Sequence, residues 1–287
     1  MSVKEKISFI GGDKRQSYMA ERLSKMGFKI MVYGLPLPRM LPEIKTASSM
    51  SEALDFGTII IGPVPFSKNH KSIVSSIQGM DLSIQTFLAD LKESQLVAGG
   101  CFSPFIWEFC EKHQIKLLDF MCLPEVCMRN AVATAEGAIA EAITRSPVNL
   151  HKNSCLVLGY GKCARVLACK LKGLDTKVTI SARKPDALEN AAAIGFETFS
   201  LKKLTDRISE FSFIFNTIPA MVLNKTVLEH ANPETIIIDI ASCPGGVDQE
   251  AVEKLGIQSA LCLGLPGKYA PKTSADILTE ALLAHLT

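Results

Sequence analysis

Short runs of branched apolar residues alternate with amphipathic stretches along nearly the whole chain. An apolar run bounded by Gly, Pro or Asp suits a strand buried on both faces, and helices between such strands wind them into a parallel sheet. The pattern occurs twice. The first set predicts strands at Ile7 to Ile10, Ile30 to Tyr33, Ile59 to Ile61, Leu96 to Ala98 and Ile115 to Leu118. The second predicts strands at Cys155 to Leu158, Val178 to Ile180, Phe213 to Phe215, Ile236 to Asp239 and near Ala260, with FETFS (196–200) as a further candidate. Between the sets, NAVATAEGAIAEAITRS from Asn130 is rich in alanine, with an apolar residue every three or four positions, and predicts one long helix. A final helix, TSADILTEALLAHL, follows Pro271, with Thr273 or Ser274 as its N-cap. The expected fold is α/β: two doubly wound Rossmann-like parallel-sheet domains joined by a long helix. Its divisions are 1–128, a linker helix at 129–150, a second domain at 151–272, and a C-terminal helix at 273–287 packing back toward the first domain.

A chain of 287 residues is comfortable for two such domains, each with its own core. Its 31 Lys+Arg against 29 Asp+Glu leave a formal charge of +2, scattered, so no basic stripe argues for nucleic acid or a membrane surface. Any anion must be met locally. No leader pattern stands before KISFIGG, and no apolar run approaches the ~20 residues that span a bilayer, so a soluble, cytoplasmic protein is expected. Nine cysteines without a CxxC pair give neither a disulfide framework nor a zinc ligand set; Cys155 and Cys169, in apolar surroundings, read as core residues. An apolar content of 47% with 21% charged residues leaves surface for a self-contact, and a homodimer is expected by base rate.

Chemistry enters at VLGYGKCARVLACKLKGLDTKVTISARK (157–184). Gly159, Gly161 and Ala164 fit GxGxxA directly after a predicted strand and at the mouth of a helix that opens at Lys162. Gly159 permits the tight turn, Gly161 lets backbone approach a pyrophosphate, and Ala164 lets helix pack on strand, while the amides at the helix start meet phosphate charge. Roughly 20 residues on, an NAD-specific domain places Asp or Glu for the ribose hydroxyls. This chain places Ser181, Arg183 and Lys184 there. A hydroxyl and two cations suit a 2′-phosphate that a carboxylate would repel, so the cofactor expected is NADP; the bland alternative is a solvated basic turn. Two later strand ends fall on the same carboxyl edge. Asn216, Thr217, Ile218 and Pro219 are expected on the nicotinamide-ribose side, with Ala241, Ser242 and the Gly245-Gly246 pair opposite.

Taken together, IGGDKRQ (10–16), Glu136-Gly137, NTIPAMVLN (216–224), DIASCPGGVD (239–248) and GLPGKYAPKTSADIL (264–278) resemble one family along essentially the whole chain. It is the A subunits of dipicolinate synthase from spore-forming bacteria. The resemblance implies NADP-dependent oxidation of dihydrodipicolinate, or of its hydroxylated tetrahydro precursor, to pyridine-2,6-dicarboxylate. It also implies a partner, the flavoprotein-like B subunit, and a place in the mother-cell cytoplasm during sporulation.

A substrate with two carboxylates needs cations or amides. The candidates are the Gly11-Gly12 turn with Arg15 as clamp, and Lys268 and Lys272 in the later loop. For the proton acceptor, Asp13, Glu136 and solvent all stay open. The family shares its plan with alanine and 2-hydroxyacid dehydrogenases, which present a His and an acid; here His70, His113, His151, His230 and His285 fall in helices or surface connections. Two other readings therefore stand beside the first: a non-catalytic NADP-binding scaffold for the flavoprotein, and an alanine or 2-hydroxyacid dehydrogenase-like enzyme.

Overall fold

The computed structural model describes residues 5–37 and 41–286. The chain divides into two compact units, Met1–Cys127 with Ala270–Thr287, and Met128–Tyr269. In the first, β1 (Lys6–Ile10), β2 (Lys29–Tyr33), β3 (Ile44–Thr46), β4 (Ile59–Ile61), β5 (Leu96–Gly99) and β6 (Lys116–Asp119) form one sheet in the order β3-β2-β1-β4-β5-β6. In the second, β7 (Ser154–Leu158), β8 (Lys177–Ala182), β9 (Glu197–Ser200), β10 (Phe213–Asn216), β11 (Ile236–Asp239) and β12 (Gln258–Leu261) follow the order β12-β11-β10-β7-β8-β9. All pairings are parallel. Winding reverses between β1 and β4, and between β7 and β10, and such switch points are where open α/β sheets take ligands.

The central strands read as continuous apolar runs because both faces are covered. Within β4, Ile59 and Ile61 join one core with Ile7 and Phe9, while Ile60 joins the opposite core with Phe66 and Phe87. Only β3 escaped the sequence pattern: three residues long with Lys45 and Thr46 exposed, it offers no run to detect.

The long helix spans Pro124–Arg145, not 129–150. The Cys127 amide donates to the Leu123 carbonyl at 3.1 Å, so Pro124 holds the first helical position, where proline's fixed φ fits and its missing N–H is no loss. Ser146-Pro147 ends it. The division between the units falls inside this helix, between Cys127 and Met128. The final helix repeats the correction: it runs Pro271–Leu286, with Ser274 N–H on the Ala270 carbonyl at 2.9 Å. Thr273 and Ser274 therefore lie inside the helix and neither is its N-cap. Its Ala275, Leu278 and Leu282 pack with Met19 and Leu23 of the Lys14–Lys25 helix, and Arg22 Nη1 reaches Asp276 Oδ1 at 2.8 Å.

Cys155 is fully buried, and burial pushes its thiol up to about 12. Cys169 is exposed, contrary to expectation, because the buried stripe of its helix is Ala164, Leu167, Ala168 and Leu171. Among the described residues, no helix is long and apolar enough to cross a membrane, and no group of three His, Cys, Asp or Glu residues could hold a metal ion.

Candidate functional site

Each unit has a glycine turn after its first strand, at its switch point, and the two turns end differently. In the first unit the Gly11 amide donates to the Tyr33 carbonyl and the Gly12 amide to the Val74 carbonyl, both at 2.8 Å. Neither amide is left for a ligand, which corrects the expectation for this turn. Asp13 caps the Lys14–Lys25 helix, its Oδ1 accepting from the Arg15 amide at 2.8 Å, while Gln16 Oε1 accepts from the Asp13 amide at 3.1 Å. The Arg15 side chain folds back onto the same carboxylate: Nε lies 3.0 Å from Oδ1 and Nη2 lies 2.7 Å from Oδ2. Nη2 also donates to the Val64 carbonyl, across the switch point after β4. Arg15 is only 7% exposed, so it is not the open clamp expected from the sequence, and Asp13 is not a free proton acceptor. A carboxylate at the N-cap and a guanidinium two residues on meet within one turn, and each takes up the other's best hydrogen bonds. Only Arg15 Nη1 stays outside these bonds.

In the second unit, Gly161 caps the Lys162–Lys172 helix without any side-chain bond. Gly159 has φ of 93°, and a Cβ there would lie 2.5 Å from Thr217 Oγ1, so only glycine fits. A Cβ at Gly161 would meet nothing within 4 Å. Ala164 is buried and Lys162 exposed. Where the first unit sets its own Asp13 carboxylate at the helix start, the second leaves that position open, and the positive end of the helix favours an anion there.

The end of β8 carries no carboxylate; the first acid is Asp186, in the opening turn of the helix Pro185–Ala193. Arg183 and Lys184 are exposed, and neither side chain has a hydrogen bond or ion pair among the described residues. Ser181 departs from expectation. It is fully buried between Leu158 and Phe199 in register, its hydroxyl without a partner, and only the two cations face solvent. These features fit the phosphates of a dinucleotide, with the cations placed where the adenosine ribose falls in such sheets.

At the end of β10, Thr217 Oγ1 donates to the Leu158 carbonyl at 2.7 Å, Ile218 is half-buried and Pro219 is exposed. Among the described residues the cis peptide bonds are Val64–Pro65 and Cys243–Pro244, and Ile218–Pro219 is not one of them. Asn216 is fully buried, with its side chain engaged by Ile218 and Asp239, so it organises the loop and cannot line a ribose. After β11, Ala241 is buried while Ser242 is exposed.

The remaining candidates scatter. Glu136 lies exposed with Lys170 Nζ on its Oε1 at 2.8 Å, an ordinary surface pair and not a poised base. Lys268 Nζ donates to Glu141, a residue the sequence reading passed over. Glu141 is 2% exposed and also accepts from Tyr269 OH at 2.8 Å and from Arg145. Burial pushes its carboxyl up, but the hydrogen bonds from Lys268 and Tyr269 and the charges of Arg145 and Lys268 outweigh that and hold it below the usual carboxylate range. The bond to Glu141 raises Lys268 in turn. A Cβ at Gly137 would lie 2.9 Å from Leu265 and from Tyr269, so glycine there lets the Leu265–Tyr269 helix seat closely. The signal for Glu141 was present: it falls on the helix face of Ala135, Ala138 and Ala142, and an acid in an apolar stripe demands partners. Lys272 is exposed and has no ion pair among the described residues. All five histidines are exposed.

Two six-stranded parallel sheets of this order, with the second glycine turn open to an anion, define a doubly wound, Rossmann-like α/β protein. Residues 6–121 match the family model described as the N-terminal domain of the dipicolinate synthase A subunit. The corresponding A subunit of Bacillus subtilis (strain 168) dipicolinate synthase is 29% identical over 295 residues, covering 96% of this chain and 94% of the relative. The crystal structure of the dipicolinate synthase A subunit from Bacillus halodurans superposes with a TM-score of 0.89 at 28% identity, covering 99% of each chain. The transhydrogenase of Sinorhizobium meliloti, at 12% identity and a TM-score of 0.68 over 98% of this chain and 92% of its own, shares the fold. The resemblance to dipicolinate synthase A subunits thus holds over the whole length of the chain, in sequence and in fold.

Proposed function

We propose that this chain is an NADP-dependent dehydrogenase that oxidises dihydrodipicolinate, or its hydroxylated tetrahydro precursor, to dipicolinate, working beside a flavoprotein-like B subunit. The carrying observation is the open turn at Gly159 and Gly161, together with the unpaired Arg183 and Lys184 at the end of β8. The full-length likeness to A subunits supports the substrate. NADP, when bound, supplies the hydride acceptor. Lys162 and the helix start hold the pyrophosphate, and the Arg183 fork with Lys184 holds the 2′-phosphate. Thr217, Ile218 and Pro219, with Ser242, border the nicotinamide. Of the cations expected to meet substrate carboxylates, exposed Lys272 stays in this reading, and Arg15 keeps only its Nη1 for that role. Because the product is aromatic, positioning carries most of the catalytic work.

The test is a titration of NADPH and NADH into wild type and Arg183→Ala. NADPH should bind more tightly than NADH to wild type, and the variant should lose that preference. An unchanged preference in the variant removes the assignment.

One observation favours a second reading. Asp13 and Glu136, the two acids expected as proton acceptors, are both held in ion pairs. A non-catalytic NADP-binding scaffold for the flavoprotein would need no proton acceptor. Tight NADPH binding with no turnover in the absence of the B subunit would favour it. The homodimer is part of the proposal, and light scattering returning the 31.1 kDa monomer would remove it.

A further inference from the structure

The ends of β10 and β11 are joined by polar contacts that reach beyond the strands. Asn216 and Asp239 are register partners, both fully buried. Asp239 Oδ1 accepts from Asn216 Nδ2 at 2.9 Å and from the Ala241 amide at 3.0 Å, and Oδ2 accepts from the Gly246 amide at 2.7 Å. Asn216 closes its own turn, accepting from the Ile218 amide at 3.0 Å and donating to the Ile218 carbonyl at 3.1 Å. Gly246 completes the junction, its carbonyl taking the Val222 and Leu223 amides at 3.1 and 2.9 Å. A Cβ on Gly246 would lie 2.5 Å from the Ala220 carbonyl oxygen, so the two loops touch backbone to backbone.

A buried carboxylate with only donors around it is retained against its desolvation cost because each donor would otherwise be orphaned. Here the donors are Asn216, which ends β10 and holds the Ile218 turn after it, and two amides of the loop after β11. We infer that Asp239 is a positioning residue, which locks these two loops into one rigid border for the nicotinamide half of the cofactor before any ligand arrives. The inference rests on the cofactor reading above. It gives Asp239 no contact with the cofactor: Asp239 acts through the backbone of Ile218, Ala241 and Gly246.

The experiment compares two ligands and one ligand-free measurement. Calorimetric titration of 2′,5′-ADP reads the adenine half alone, and NADPH reads both halves. In Asp239→Asn one carboxylate oxygen becomes an amide that must face another donor, so the lock opens with little change in shape. The expected result is 2′,5′-ADP affinity within about twofold of wild type and NADPH affinity down by about tenfold or more. Hydrogen exchange in the free protein should quicken at the Ile218, Val222, Leu223 and Gly246 amides. If Asp239→Asn fails to fold, Asn216→Ala cuts the same junction and leaves Asp239 two backbone donors. Equal loss of both ligands, or quickened exchange with an unchanged ratio of the two affinities, overturns the inference. Wild type binding neither ligand instead overturns the cofactor reading itself.

Discussion

The Asp13 carboxylate and the Arg15 guanidinium lie face to face at the start of a helix, Nε on Oδ1 at 3.0 Å and Nη2 on Oδ2 at 2.7 Å. The pair fills the place where the second unit leaves its helix start open. Arg15→Ala therefore removes a buried cation together with its bonds to Asp13 and the Val64 carbonyl. Stability should fall by about 1–3 kcal/mol, read by urea unfolding. Arg15→Lys should keep the charge, lose the fork and recover part of the stability. If Arg15 Nη1 also meets substrate, kcat/KM of folded Arg15→Lys should fall, and wild-type turnover in that variant would free Arg15 from the substrate role.

The two glycines of the second turn separate folding from binding. Gly159→Ala forces a side chain at φ of 93° and 2.5 Å from Thr217 Oγ1, and should destabilise the free protein by about 1–3 kcal/mol. Gly161→Ala adds a methyl into open space, and its melting behaviour should stay within about 1 kcal/mol of wild type. Its NADPH affinity should fall by about 1.4 kcal/mol or more, tenfold, because the methyl sits where the pyrophosphate must approach. Equal NADPH binding by Gly161→Ala and wild type would move the cofactor off this turn.

The strands and the glycine turn were legible because both rest on local rules: an apolar run covered on both faces, and a turn that needs positive φ. The polar residues at strand ends were not. Asn216, Ser181 and Gly11 each sat where a ligand contact was expected, and each turns inward or to a neighbouring loop. What decides that is the partner: Asp239 for Asn216, the Tyr33 carbonyl for Gly11, and a fully buried setting for Ser181. Those partners lie far along the chain, and no spacing rule brings them together. Glu141 shows the converse: its apolar neighbours carried a signal that went unread, and two of its partners, Lys268 and Tyr269, lie more than a hundred positions on.

Acid should weaken the second unit through Glu141. Its folded-state carboxyl titrates below the usual range, so its contribution is complete above the ordinary carboxylate value and is lost as pH falls through the lowered one. Glu141→Gln should cost about 1–3 kcal/mol at neutral pH. In acid the wild type should lose this advantage and converge on the variant. A stability gap that stays constant on acidification would show that the carboxylate charge is not what holds Lys268, Tyr269 and Arg145.

The oxidation itself can be followed directly, by mixing the purified chain with NADP and the product of dihydrodipicolinate synthase and recording NADPH and dipicolinate together by absorbance. The expected result is that both appear in equal amounts, at a rate proportional to this chain, with NAD giving much less. Dipicolinate forming without NADPH, or no NADPH appearing even when the B subunit is added, would contradict the account.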